Sequence, residues 1–166
     1  MILGVGADLC HILRIRRSII RFGKDWLNEV FTEEEQERLG IGDQQAHHAA
    51  IGFALKEACS KAIGTGFASG IRRQDFVISI AGDHCLVDLT GAAKHRAVRL
   101  GPNAASYSVH AHFRLTDQWV NTLAVLATSG DQLSDFTDHL PYHERLGQNR
   151  APTRSAQEQS TGTERS

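Results

Sequence analysis

The sequence predicts an α+β fold in which an antiparallel sheet packs against one long helix. Two observations carry that expectation. Apolar residues recur at helical spacing over about residues 45–63, with Ile51, Leu55, Ala58 and Ala62 as the seam, and beyond residue 74 the apolar period falls to two. A third observation, a glycine-broken apolar run at the amino terminus, adds a buried strand ahead of the helices.

That first strand is ILGVGA, residues 2–7, and it delivers Asp8 at its end. From His11 onward Ile12, Ile15 and Ile19 follow helical spacing, and Arg14, Arg17 and Arg21 follow it on another face. The result is a basic amphipathic helix expected to end near Gly23. In FTEEEQERL, Thr32 and Glu35 have the spacing of a capping box, and three glutamates suit the positive end of the helix dipole. The long helix runs from about Gln45 to Ile63, with Gly64 as its left-handed stop. DFVISIAG and HCLVDLTG alternate like strands and should pair as a hairpin around Gly82 and Asp83. Gly91 to Leu100 reads as a short helix, and ASYSVHAHF and VNTLAVLAT as two more strands joined by the turn LTDQW.

After Ser129 the apolar periodicity is lost. PYHERLGQNRAPTRSAQEQSTGTERS has too little apolar surface to offset a backbone ordering cost of roughly 1–2 kcal/mol per residue. One domain over residues 1–128 and a disordered tail over 129–166 are expected. At 166 residues, 41% of them hydrophobic and 22% charged, the chain is long enough to bury one real core. Its net charge of -1 excludes a strong global attraction to nucleic acid and leaves electrostatic recognition to local patches. Cys10, Cys59 and Cys85 are odd in number and lack CxxC spacing, which speaks against a disulfide framework or a zinc ribbon and points to a reducing cytoplasm. The amino terminus lacks a basic leader before a long apolar core, and no window approaches the roughly 20 apolar residues of a membrane span, so no membrane partner is expected.

The stretch GFALKEACSKAIGTG, residues 52–66, sets Lys56, Glu57 and Lys61 inside a helix that otherwise reads as packed. Glu57 and Lys61 are four residues apart, and taken alone they make an exposed ion pair contributing only ~0.2–0.5 kcal/mol. The small neighbours Ala54, Ala58, Ser60 and Ala62 let another backbone or a ligand approach closely, which a solvated face does not need. Asp8 alone suits a strand-end or helix-capping aspartate. Paired on separate elements, Asp8 and Glu57 suit Mg²⁺ with positions left for water and phosphate oxygens, and Lys61 then balances charge on a phosphorylated substrate. Gly64 and Gly66 either approach a phosphate through their backbone or simply stop the helix. His110 and His112 alternate onto one strand face without a third ligand, so a metal site there is disfavoured.

GFALKEACSKAIGTGF resembles the signature helix of holo-acyl-carrier-protein synthases, the small trimeric class of 4′-phosphopantetheinyl transferases, written RFAAKEAxxKAxGTG. GVGADLCHILRI resembles that family's GIGIDIVEIxRI, and FTEEEQ its FTxxE element, in the same order across about residues 1–67. The resemblance implies the 4′-phosphopantetheinyl transferase fold and transfer of phosphopantetheine from coenzyme A to a serine of an acyl carrier protein, with release of adenosine 3′,5′-bisphosphate. It implies that Asp8 and Glu57 hold Mg²⁺ against the coenzyme A pyrophosphate and that Lys61 assists proton transfer or neutralises phosphate. It implies a homotrimer, and carrier docking at Arg14; Arg17 and Arg21 join that surface by helical spacing. Two departures stand out. Gly52 occupies the position where the family commonly carries arginine, and YSVHAH stands for the family's SLSH or SLTH strand. Ser108 there aligns with the first serine, as a coenzyme A contact, and the histidine position falls on Ala111, or on His112 after a one-residue shift. Two other readings stay open on the residues: a non-enzymatic carrier-binding module of the same fold, and a divalent-metal phosphohydrolase.

Overall fold

The computed structural model describes residues 1–81, 84–101 and 107–128. In chain order the elements are β1 (Ile2–His11), α1 (Ile12–Val30), α2 (Glu33–Arg38), α3 (Gly42–Ala62), a 3-10 turn (Arg73–Asp75), β2 (Phe76–Ala81), β3 (His84–Leu89), α4 (Gly91–Leu100), β4 (Tyr107–Leu115) and β5 (Trp119–Thr128). The α+β expectation holds. β1, β5 and β4 form an antiparallel sheet in that order, β2 and β3 a separate antiparallel hairpin, and the thiol of Cys85 on β3 donates to the carbonyl of Ala111 on β4 at 3.0 Å. The expected disorder over 129–166 and the hairpin tip at Gly82 and Asp83 lie outside the described residues. Among the described residues no helix is long and apolar enough to cross a membrane.

The first strand is longer than its apolar run. β5 pairs with it as far as His11 opposite Trp119, so Asp8 lies within the ladder, opposite Thr122, rather than at a strand end. His11 then turns the chain into α1, its Nδ1 accepting from the Leu13 N–H at 3.2 Å. Helix α1 also outruns its expected stop. Gly23, at φ 54°, kinks it, and the helix resumes because Trp26, Leu27 and Val30 pack into the core beside Phe31.

Helix α3 is the centre of the molecule, with buried residues on every side, among them Ala49, Ala50, Leu55, Lys56 and Cys59. Its apolar seam was legible; its burial all round reflects β1 and β5 on one side and α1 and the hairpin on others. The contact with β1 is backbone to backbone. An ideal Cβ on Gly4 would sit 1.9 Å from the Ala62 carbonyl oxygen, and one on Gly6 would sit 2.0 Å from that of Ala58. Only glycine permits this approach, which places Asp8, two residues past Gly6, against the Glu57 and Lys61 turn of α3. β5 is tied to the same helix by the Thr122 hydroxyl, which donates to the Ala54 carbonyl at 3.0 Å.

Candidate active site at the β1 and α3 contact

The ionic groups pair differently from the expectation of helical neighbours. Lys61 does not bond Glu57 one turn away. Its Nζ reaches across to β1, donating to Asp8 Oδ1 and to the Ala7 carbonyl, both at 2.8 Å. Glu57 Oε1 instead accepts from Arg73 Nη2 at 3.1 Å. The reason is the glycine contact: with β1 pressed on α3, an aspartate on the strand lies closer to the lysine than a neighbour on its own helix does. Asp8 and Glu57 are 16% and 20% exposed in their side chains and Lys61 49%, so the carboxylates are half-sheltered and the ammonium can swing into solvent.

The charges of both carboxylates are felt at Cys10. Its thiol is pushed up first by burial and further by the negative charges of Asp8 and Glu57, against the pull of Arg14, whose Nη2 lies 3.9 Å from the sulfur. Burial thus makes Cys10 a poorer source of thiolate than a free cysteine. What remains is oxygen: Asp8 Oδ2 and Glu57 Oε2, which carry no hydrogen bond among the described residues. That donor set suits a hard divalent cation such as Mg²⁺, which takes one or two protein carboxylates and completes its shell with water and phosphate oxygens. Among the described residues no three His, Cys, Asp or Glu side chains converge as a closed metal cage.

Arg14 connects this site to the basic helix. Its guanidinium lies 5.5 Å from the Phe53 ring centre, beside Cys10, and it also lines an open recess of about 590 Å³ with Arg17, Arg21, Ser18, Phe22 and Trp119. The three arginines expected to share a face do share it. Arg16, off that stripe, pairs with Asp43 at 2.9 Å.

Other expected positions are distributed otherwise. The N–H groups of Gly64 and Gly66 donate to the Lys61 and Ser60 carbonyls at 3.0 and 3.1 Å, so these donors close the end of α3 and are not available to a phosphate. Ser108 is not brought to the carboxylates within one chain. Asp8, Thr122 and Phe113 lie in one row across the sheet; Ser108 is five residues from Phe113, hence ~16 Å along the strand and on the opposite face. Its hydroxyl bonds His110 Nε2 at 3.0 Å. Gly52 is closed over by Phe31, whose Cε1 would be 2.7 Å from a Cβ there, so the missing arginine has a steric counterpart.

Two residues escaped sequence reasoning. Lys56, which had no role, is fully buried and bonds Glu35 Oε2 at 2.7 Å. Burial lowers its pKa and the Glu35 charge opposes that shift. Glu35 is thus more than a capping residue: besides the Thr32 N–H at 2.8 Å, it accepts the Ile78 N–H at 2.8 Å and ties α2, α3 and β2 together. Arg73 lies in the glycine-rich connection after α3, where no periodicity marks it, and only its approach to Glu57 reveals it.

Comparison with known proteins gives the family and the fold. Residues 4–120 match the profile described as ACPS, the 4′-phosphopantetheinyl transferase superfamily. The holo-[acyl-carrier-protein] synthase of Methylorubrum populi is 40% identical over 119 residues, covering 71% of this chain and 86% of that protein. That of Xanthobacter autotrophicus is 39% identical over 130 residues, covering 78% and 95%. In fold the chain matches the crystal structure of the Neisseria meningitidis synthase with a TM-score of 0.65 at 24% identity, over 77% of this chain and 100% of that one. It matches the Bacillus anthracis synthase, solved in complex with coenzyme A, with a TM-score of 0.62 at 22% identity, over 78% and 99%. With its strand glycines, its signature helix and this extent of identity, the chain belongs to the holo-[acyl-carrier-protein] synthases of the 4′-phosphopantetheinyl transferase superfamily.

Proposed function

We propose that this chain transfers 4′-phosphopantetheine from coenzyme A to a serine hydroxyl of an acyl carrier protein and releases adenosine 3′,5′-bisphosphate. The observation that carries the reading is the carboxylate pair on touching elements, Asp8 on β1 and Glu57 on α3, beside the Lys61 ammonium. A phosphorus–oxygen bond of the pyrophosphate breaks and the same phosphorus bonds the serine oxygen; the serine gives up its proton and the bisphosphate leaves with the electron pair.

Asp8 and Glu57 would hold Mg²⁺ through Oδ2 and Oε2. When bound, that ion supplies electrostatic stabilisation for the charge developing on the pyrophosphate oxygens. Lys61, half exposed, swings its ammonium from Asp8 to the same phosphate. Arg14, Arg17 and Arg21 receive an acidic carrier in the recess they line, speeding and orienting encounter more than tightening it. Gly66 contributes open space for the nucleotide at the end of α3 rather than an N–H donor, with no described atom within 4 Å of a Cβ built on it, while Gly64 lies beside Arg96, whose Nη2 would be 3.8 Å from such a Cβ.

Residues 1–128 are the catalytic domain in this reading, and the assembly is a homotrimer. Support for self-association comes from the outer face of the sheet, where Val5, Leu9 and Leu123 are 55%, 56% and 47% exposed. Ser108 lies on that outer face, so a coenzyme A contact by its hydroxyl belongs to a site shared between copies. Sedimentation returning a monomer at micromolar concentration would contradict the assembly. The three free thiols support a reducing compartment.

The deciding experiment incubates the full chain with Mg²⁺, coenzyme A and a panel of apo carrier proteins and reads phosphopantetheine mass on a carrier serine. Modification that falls at least ~100-fold in a folded Glu57→Gln variant is the expected result. No modification across the panel removes the reading, and full activity in that variant removes the metal assignment.

A further inference from the structure

Arg73 forms a clasp on the residue next to its own anchor. The fully buried Lys56 donates from Nζ to the Arg73 carbonyl at 3.2 Å, which registers the backbone after α3 against the helix. From that fixed point the Arg73 side chain returns to α3 and meets Glu57, the very next residue after Lys56, through Nη2 at 3.1 Å. Its other nitrogen, Nη1, meets Glu29 of α1 at 3.3 Å. Two rings steer the guanidinium plane, Phe67 with its centre 4.4 Å from Cζ and Phe53 at 5.5 Å. Arg73 Nε is buried without a hydrogen bond among the described residues, as is Arg16 Nε, so the hold on this side chain comes from its two Nη atoms and the two rings.

We infer that Arg73 is a positioning residue for Glu57. It engages Oε1 and leaves Oε2 to the cation, holding half of the divalent-cation site in one rotamer. The inference rests on the Asp8 and Glu57 reading above. Lys61 does not do the same for Asp8, because its ammonium is half exposed and unstacked, whereas Arg73 is gripped by two carboxylates and two rings. A residue that orients a ligand carboxylate strengthens metal binding even when its own charge repels the metal, because the free ligand no longer has to be ordered. Orientation and repulsion thus have opposite signs, and a binding measurement separates them.

The test is Mn²⁺ titration of the full chain, followed by electron paramagnetic resonance of free Mn²⁺, with no turnover involved. In Arg73→Met, which keeps an apolar stem between Phe53 and Phe67, Mn²⁺ binding weakens about 10-fold or more. Unchanged or tighter binding in that variant, with the wild-type circular dichroism spectrum, overturns the inference while leaving the metal site itself standing. Should Arg73→Met fail to fold, Arg73→Lys keeps the positive charge and loses the planar grip on Glu57 and Glu29 together: binding about threefold weaker supports the inference, and unchanged or tighter binding overturns it. Wild-type protein that binds no Mn²⁺ removes this inference together with the metal site.

Discussion

Replacing Gly6 by alanine tests whether the glycine contact builds the site. The added Cβ would meet the Ala58 carbonyl oxygen at 2.0 Å, the Ala62 nitrogen at 2.6 Å and Lys61 Cβ at 2.8 Å. An unstrained carbon–oxygen contact is roughly 3.3 Å, so β1 must retreat from α3 by about 1 Å, and both sides of the contact are backbone that cannot rotate away. Overpacking of this kind costs about 1–3 kcal/mol, at the upper end here, and the lost freedom of the unfolded chain returns about 0.4–1 kcal/mol. A net loss of about 2 kcal/mol follows from these two figures. A domain with an ordinary reserve of about 5–15 kcal/mol stays folded. Asp8, two residues further on, moves with the strand, and a misplacement of about 1 Å is worth about 100-fold in rate. Urea denaturation and the carrier-modification assay, run on the same preparation, should therefore show a modest stability loss and a far larger activity loss. Wild-type turnover in a variant destabilised by about 2 kcal/mol would refute the reasoning, because it would mean the β1 to α3 distance does not set the site.

Lys56→Met leaves the Glu35 carboxylate buried without its cation and should cost about 3–5 kcal/mol by urea denaturation. Adding Glu35→Gln should recover only part of this, since Glu35 also accepts from the Thr32 and Ile78 N–H groups; a loss under about 1 kcal/mol in the single variant would count against the buried pair. Cys59 gives a pH signature. Burial, with a smaller contribution from nearby Cys85, pushes its thiol from 9.0 up to about 12. The unfolded thiol ionises first, so the stability tied to this group is complete below pH 9.0 and is lost as pH rises from there toward 12. Relative to wild type, Cys59→Ala should show a flatter fall in stability between those limits; parallel curves would contradict it. At pH 8 native Cys59 should also resist alkylation that the denatured protein undergoes readily.

Much of the fold could be read locally. The Thr32 and Glu35 spacing is a matter of three residues within one turn, and the capping box formed as expected. The seam of α3 and the alternation of β2 to β5 are likewise properties of near neighbours. Element ends were less legible. Asp8 became a mid-strand residue because β5 continues the ladder to His11, and α1 ran through Gly23 because Trp26 and Val30 had a core to enter. Neither partner is visible from the residues beside the boundary.

The sequence by itself determined the family, the α+β class and the two carboxylates at the centre of the proposed site, because strand glycines, helical spacing and a signature stretch are written in short windows. Tertiary structure alone decided which cation meets which carboxylate. Lys61 left its helical neighbour for Asp8, Glu57 took Arg73 from 16 residues downstream, and Lys56 went into the core with Glu35, 21 residues upstream. Such pairings depend on which distant atoms come within about 3 Å of one another, and for Lys61 and Asp8 that was set by two glycines that let a strand lie directly on a helix.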